Sequence, residues 1–302
     1  MTSLKQKTVL VTGGAGFVGS HLCERLLRDG QKVISLDNYF TGSKDNHVPG
    51  VEYREGHTKD IEKHVPEKPD LIYHLGEYSR VHKSLEEPEV VWDLNIAGTL
   101  AVLEFWRKRG GKLIYAASST KSDTNKTVDG TAGRDLTPYT WAKATNVDLI
   151  SDYGRWYGVP FAVVYFYNVY GPRERAWGNY GTVVETFRQN YLAGKPHKVN
   201  APGTQTRAFT HVLDTVEGII AVGEKGEGDG FNISSNDVQS IAWIAESFGG
   251  EIEMQPQTKM SRSSTGDDTS KIESLGWKPT RTLADYIESV KARRALKDEG
   301  SA

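Results

Sequence analysis

The sequence predicts an α/β fold: a doubly wound parallel sheet with a smaller, discontinuous α/β C-terminal domain. Three observations carry that expectation. Residues 7–12 (KTVLVT) form a β-rich apolar run that breaks on Gly13, Gly14, Gly16 and Gly19. Apolar residues then resume at helical spacing through Leu22, Leu26 and Leu27, and a second strand-like run over 32–36 closes on Asp37. Beyond Asp37, strand-like and helix-like stretches keep alternating as far as residue 167, the pattern of parallel strands joined by crossover helices.

In chain order, 7–12 is short enough for a buried strand, and the glycines after it mark a tight turn into a helix that Gly30 ends. Strands follow at 32–36, at 70–75 (DLIYHL) and at 112–117 (KLIYAA), with one long helix over 88–109 between the last two. A polar stretch covers 118–137, a helix 139–157 and a strand 161–167. The remainder is less regular. Helices are expected over 182–193, within 209–222, and over 241–248 and 283–294, with a short strand at 231–235 (FNISS). Residues 1–170 read as one domain, rejoined by part of 205–235, and 171–302 as the second. The tail from Arg294 is polar.

A chain of 302 residues can bury a full core. Its net charge of −2 and lack of a long basic block argue against a dedicated nucleic-acid binder. The single cysteine, Cys23, rules out an intramolecular disulfide framework and, inside the first helix, suits a small buried apolar role. No apolar run reaches the length of a membrane span, and MTSLKQKT lacks a signal-peptide core, so a cytoplasmic protein with no membrane partner is expected. The eight histidines show no ligand-spaced cluster with acids or cysteines, so no metal is expected.

The first chemistry lies in the glycine turn. Glycines let the backbone turn sharply and approach a pyrophosphate, whose charge then sits on a helix N-terminus. Asp37 stands 18 residues beyond Gly19, placed to accept hydrogen bonds from the adenosine ribose and to repel a 2′-phosphate. The cofactor expected is therefore NAD rather than NADP. Ligand in such a sheet lies outside the carboxyl ends of the strands, which directs attention to the loops starting at Gly13, Asp37, Gly76, Ser118 and Asn168. The second constellation is Tyr139-Thr-Trp-Ala-Lys143. Four residues apart on a helix, phenol and ammonium share one face. An ammonium beside a phenol lowers its pKa from about 10 toward neutrality, which makes a usable general base. The same spacing recurs at Tyr191 and Lys195, but that copy ends in LAGKP and has no strand-end hydroxyls upstream. Tyr139 has them in Ser118, Ser119 and Thr120.

TGGAGFVGSH, Asp37-Asn38, HLGEYSR, Asn95 with GTL, IYAASST, PYTWAK, YNVYGPR and RAFTHVLD fall in the order seen in extended short-chain dehydrogenase/reductases. More narrowly, the chain resembles the NAD-dependent nucleotide-sugar epimerase/dehydratase family, from about residue 7 to LGWKP at 275–279. The resemblance implies a Rossmann domain, a smaller sugar-nucleotide domain, NAD held through turnover and a nucleoside-diphosphate sugar as substrate. It assigns Tyr139 as base and Lys143 as activator, with Ser118 or Thr120 as third member. Gly13, Gly16 and Gly19 would form the turn, with Phe17 and Val18 amides near the pyrophosphate. Asp37, Asn38, Thr41 and Gly42 would line the adenosine. Leu75 and Gly76 would flank the cofactor, and Phe166 and Tyr167 would approach the nicotinamide. Asn168 and Arg207 resemble contacts to the sugar diphosphate, a role in which a guanidinium donates in pairs. His211 and Asp214 read as structural. The resemblance also implies a homodimer through the helices at 88–109 and 139–157.

Departures from the family pattern sharpen the expectation. EGHTKD puts His57 where an acid commonly meets adenine. Ser119, Thr120 and Lys121 stand where dehydratases carry an acidic pair, which demotes 4,6-dehydration. Glu77 and Arg80 occupy a loop where small or neutral residues are commoner and are taken as substrate-binding. Glu77 could serve as a second acid/base or as an orienting partner, or it could pair with Arg80. The stretch around 262–271 is short, which weakens Arg262 as a diphosphate ligand. The leading expectation is NAD-dependent redox chemistry at C4 of a nucleoside-diphosphate sugar, most simply 4-epimerisation through a 4-keto intermediate. The alternative is a C4 dehydrogenase that releases the keto sugar. A non-catalytic NAD-binding regulatory protein is remote, because it would have no need of both Tyr139 and Lys143.

Overall fold

The computed structural model describes residues 6–119, 133–175, 180–257 and 268–299. Strand β1 (Thr8–Thr12) runs into helix α1 (Phe17–Arg28), which buries Leu22, Cys23 and Leu26 and ends before Gly30 at φ +79°. Arg25 and Arg28 in its last turn suit the negative end of the helix dipole. Then come β2 (Lys32–Asp37), β3 (Glu52–Glu55), the short α2 (Ile61–His64) and β4 (Leu71–His74). The expected long helix is α3 (Pro88–Val91) and α4 (Gly98–Arg109), with a π-helical turn, Trp92–Ala97, between them. Next, β5 (Lys112–Ser118) precedes α5 (Pro138–Tyr157). A capping box starts α5, with Thr140 N–H donating to Thr137 Oγ1 and Thr137 N–H to Thr140 Oγ1; Gly158 at φ +65° ends it.

After β6 (Phe161–Phe166) the chain turns through Asn168, whose φ is +36°. There follow β7 (Val169–Tyr170), α6 (Val183–Ala193), β8 (His197–Asn200), β9 (Thr206–Ala208), β10 (Thr210–His211) and α7 (Val212–Lys225). The last elements are β11 (Gly228–Ile233), β12 (Val238–Ser240), α8 (Ile241–Phe248), β13 (Ile252–Gln255), α9 (Ser270–Glu273) and α10 (Leu283–Glu299).

The main sheet has seven strands in the order β11-β6-β5-β4-β1-β2-β3, every pair parallel. It is the doubly wound α/β sheet that the alternating pattern predicts. Side-chain alternation splits each inner strand between two cores. Val9 and Val11 pack with Leu22, Leu26, Val216 and Ile219 on one face, while Leu10 packs with Phe105, Trp106, Val147 and Ile150 on the other. A third core (Phe187, Phe209, Ile244, Phe248, Ile287) lies under three two-stranded sheets, β10-β7, β12-β9 and β13-β8. Burial pushes the Cys23 thiol far above its ordinary value, consistent with an inert packing role. Among the described residues no helix is long and apolar enough to cross a membrane.

Candidate active site

A cavity of about 480 Å³ opens at the carboxyl ends of β1, β2, β4, β5 and β6. Its floor is the glycine turn. Gly13 has φ +75°, and a Cβ there would stand 2.9 Å from the Gly76 backbone; a Cβ on Gly16 would stand 3.1 Å from the Gly13 carbonyl. No side chain caps α1, so its first-turn amides face the cavity beside Phe17 and Val18. At the end of β2, Asp37 accepts from Ala15 N–H at 2.9 Å and Tyr39 N–H at 2.8 Å. Burial holds its carboxyl above the usual range, against the pull of those two amides. Gly42 packs so closely that a Cβ would lie 2.8 Å from Asp37 Oδ1. Asn38 and Thr41 complete this edge. A side-chain-free cradle at a helix N-terminus, with an acid at the tip of the next strand, fits NAD.

Ser118, Tyr139 and Lys143 line the same cavity from β5 and α5, with Leu75, Gly76 and Phe166 beside them. The Lys143 side chain is 8% exposed. Its Nζ donates to the Ala116 carbonyl at 2.5 Å and forms an ion pair with Glu77, whose side chain is 1% exposed. Glu77 Oε1 also accepts from Thr99 Oγ1 (2.7 Å), Asn146 Nδ2 (2.9 Å) and Tyr115 OH (3.1 Å). Glu77 is thus the ion-pair partner of Lys143, and among the described residues it makes no ion pair with Arg80. Separation in sequence hid this, because the partners stand 66 positions apart.

The network runs further. Gly76 N–H donates to Thr12 Oγ1 at 3.0 Å, Thr12 Oγ1 meets His74 Nδ1 at 2.7 Å, and His74 Nε2 meets Thr99 Oγ1 at 2.9 Å. Since the Gly76 amide can only donate and Glu77 accepts, the chain is directional: Thr12 donates to Nδ1, and Nε2–H donates to Thr99. Burial lowers the His74 pKa to about 4, so the ring is neutral, as this arrangement requires.

Asn168 and Arg207 also line the cavity, Asn168 Nδ2 donating to the Ala208 carbonyl at 2.8 Å and Arg207 projecting from β9. Tyr167, unlike its neighbour Phe166, does not line the cavity. It is 1% exposed and packs in the opposite core, its hydroxyl donating to Asn232 Oδ1 at 3.2 Å, because consecutive residues of an extended segment face opposite ways. His57 is outside the lining as well, with Nε2 2.9 Å from Asp93 Oδ2. The decoy pair is remote: Tyr191 packs on Phe248 near the end of α6, and Gly194 caps that helix before Lys195. Asp214 accepts from Thr280 and Arg281 backbone amides and pins the chain before α10, while His211 caps α7. Thr120, Lys121 and Arg262 lie outside the described residues.

Sequence reasoning missed Phe40, Glu174, Tyr180 and Phe209, all in the lining. Phe40 meets Tyr78 and Tyr180 with centroids 6.1 Å away in each case. Both tyrosine hydroxyls donate to Glu87 Oε2, at 3.1 and 2.6 Å. Glu174 follows directly on YNVYGPR, which was the available signal; it is buried and its pKa is pushed up to about 7.

A family model described as "NAD dependent epimerase/dehydratase family" matches residues 9–234. Over 300 residues the chain is 31% identical to a Methanocaldococcus jannaschii protein to which a UDP-glucose 4-epimerase activity is attributed, covering 93% of this chain and 96% of that one. Over 301 residues it is 31% identical to UDP-glucuronic acid decarboxylase 6 of Arabidopsis thaliana, covering 92% and 86%. The crystal structure of a Thermotoga maritima UDP-glucose 4-epimerase with UDP-glucose superposes with a TM-score of 0.86 at 27% identity, covering 96% of this chain and 99% of that one.

Proposed function

This chain belongs to the NAD-dependent epimerase/dehydratase family, and we propose that it epimerises C4 of a nucleoside-diphosphate sugar through a 4-keto intermediate. It is an NAD-dependent enzyme of the extended short-chain dehydrogenase/reductase type. The observation that supports the reading is convergence: Ser118, Tyr139 and Lys143 share one cavity with the glycine cradle and Asp37.

In this reading Ser118 holds the C4 hydroxyl and the Tyr139 oxygen takes its proton. Lys143, fixed by Glu77 and the Ala116 carbonyl, stands one helical turn from Tyr139 and keeps positive charge on its face of α5. Bound NAD supplies the hydride acceptor and, on the return, its donor. Arg207 and Asn168 hold the diphosphate, so the keto sugar can turn while its nucleotide stays anchored. Residues 1–170, rejoined by part of 205–235, form the NAD domain, and 171–302 the nucleotide-sugar domain. Two copies dimerise through the helices at 88–109 and 139–157.

The named relatives include a decarboxylase as well as epimerases, and a C4 dehydrogenase would share the first step. The test is mass spectrometry with absorbance on purified protein and a nucleotide-sugar panel. A product of unchanged mass without accumulating reduced cofactor supports epimerisation. Loss of two hydrogens with rising reduced-nicotinamide absorbance points to the dehydrogenase, and loss of water or carbon dioxide overturns both.

A further inference from the structure

We propose that Arg80 reads a carboxylate on the sugar, so that the preferred substrate is a nucleoside-diphosphate hexuronate rather than a neutral hexose. This deepens the reading above and rests on it. Arg80 lines the cavity that holds Tyr139 and Ser118. Its Nε is buried without a hydrogen-bond partner, and NH1 reaches the Ser79 carbonyl only at 3.4 Å. A buried guanidinium N–H left unpaired is costly, and the fork of Nε and a terminal nitrogen matches a carboxylate with two parallel bonds.

The surrounding acids do not fill that fork. Glu77 is engaged by Lys143, Thr99, Asn146 and Tyr115. Glu87 takes Tyr78, Tyr180 and Lys83. Glu174 feels the Arg80 charge, but its two oxygens accept from Thr182 N–H at 2.8 Å and Thr182 Oγ1 at 2.9 Å. Of the other cations described in the lining, Lys143 is held by Glu77, and Arg173 pairs with Glu24 through one terminal nitrogen while its NH1 is buried without a partner. Arg175 and Arg207 line the cavity as well, Arg207 being assigned above to the diphosphate. The complement to Arg80 is therefore an anionic group on the ligand.

Its position says which group. Ser84 N–H donates to the Arg80 carbonyl at 3.3 Å, and Tyr139 N–H donates to Ser84 Oγ at 3.4 Å. One short loop thus ties the Arg80 backbone to the backbone of Tyr139, the residue that takes the C4 proton in that reading. On a hexose ring C6 is two bonds from C4, so a C6 carboxylate lies within one side-chain length of the group that reads C4. The loop is also preset: Tyr78 N–H donates to Asn95 Oδ1 at 2.7 Å, and Asn95 Nδ2 returns to the Tyr78 carbonyl at 3.0 Å. A guanidinium on such a clamped loop loses little freedom on binding.

The test is calorimetric titration of the NAD-loaded enzyme with UDP-glucose against UDP-glucuronic acid, with GDP-mannose against GDP-mannuronic acid, and with each bare nucleoside diphosphate. In at least one pair the hexuronate should bind about tenfold tighter or more, as expected for a paired charged hydrogen bond. Arg80→Gln should bring that ratio close to one, and Arg80→Lys, which keeps the charge but not the fork, should retain an intermediate ratio. A wild-type protein without hexuronate preference overturns the proposal whatever the variants do. Equal weakening of hexose, hexuronate and bare diphosphate in Arg80→Gln also overturns it, by placing Arg80 on the diphosphate. If no nucleotide sugar binds while NAD does, the nucleotide-sugar reading fails along with it.

Discussion

Lys143 and Glu77 are buried together, and neither could be buried alone. A charge removed from water without its counterion is costly, and deleting one partner of such a pair leaves the other uncompensated. Glu77→Ala is expected to lower unfolding free energy by about 3–5 kcal/mol in a urea titration; a loss under about 1 kcal/mol would show that Lys143 finds another partner. Tyr139→Phe separates chemistry from binding. It should cut turnover by several orders of magnitude while NAD titrates normally, and near-normal turnover removes Tyr139 from the reaction. Glu174 makes a pH prediction. Its folded pKa of about 7 lies above its ordinary 4.5, so the folded state holds this proton more tightly than the unfolded chain does. The stabilisation is complete below 4.5 and is lost as pH rises through 7. Melting temperature should therefore fall between pH 5 and 8 more steeply in the wild type than in Glu174→Gln; parallel curves would remove Glu174 as the cause.

At the scale of elements, the site depends on where helices begin. α5 carries Tyr139 in its first turn, and the Thr137–Thr140 capping box fixes that turn. Thr137→Ala should cost about 1 kcal/mol of stability, and it should depress kcat beyond what the lost folded fraction explains; a stability loss with unchanged kcat would mean the turn holds without its cap. The same scale shows what the sequence could disclose. β1, β2, β4, β5 and β6 announce themselves as apolar runs, and the glycine turn and the Tyr139–Lys143 spacing are local signals. β3 reads EYRE, a polar edge strand with no apolar alternation to betray it. The strands β8, β9, β10, β12 and β13 are two to four residues long, shorter than any period can register. Glu77 stood out as an oddity of its loop, but its partners come from β5, α4 and α5, so only the folded chain brings them together. Tyr167 shows the opposite limit: a resemblance transfers a position, whereas strand alternation turns its side chain away from the cavity that Phe166 lines.

On the scale of the whole molecule, the outward faces of the helices at 88–109 and 138–157 leave an aromatic stripe uncovered. Trp92 and Trp141 are each 40% exposed and meet edge to face at 5.7 Å, with exposed Leu100, Trp156 and Tyr157 on the same two helices. Exposed apolar side chains of this kind suit an association face. Sedimentation velocity should therefore find a dimer, and Trp141→Arg should shift it toward monomer; a monomeric wild type at micromolar concentration would leave the stripe without that role. One further consequence follows from the contact between Gly13 and Gly76. The turn that receives the cofactor and the loop that presents Arg80 touch backbone to backbone, and the Thr12–His74–Thr99 hydrogen bonds join them again beneath. Both ligands of the proposed reaction therefore border one pair of touching backbones within a single cavity. Whatever free energy the first to arrive contributes to stiffening that seam, the second need not supply, and by reciprocity each would raise the affinity of the other by the same factor. A seam shared in this way would couple cofactor affinity to sugar affinity.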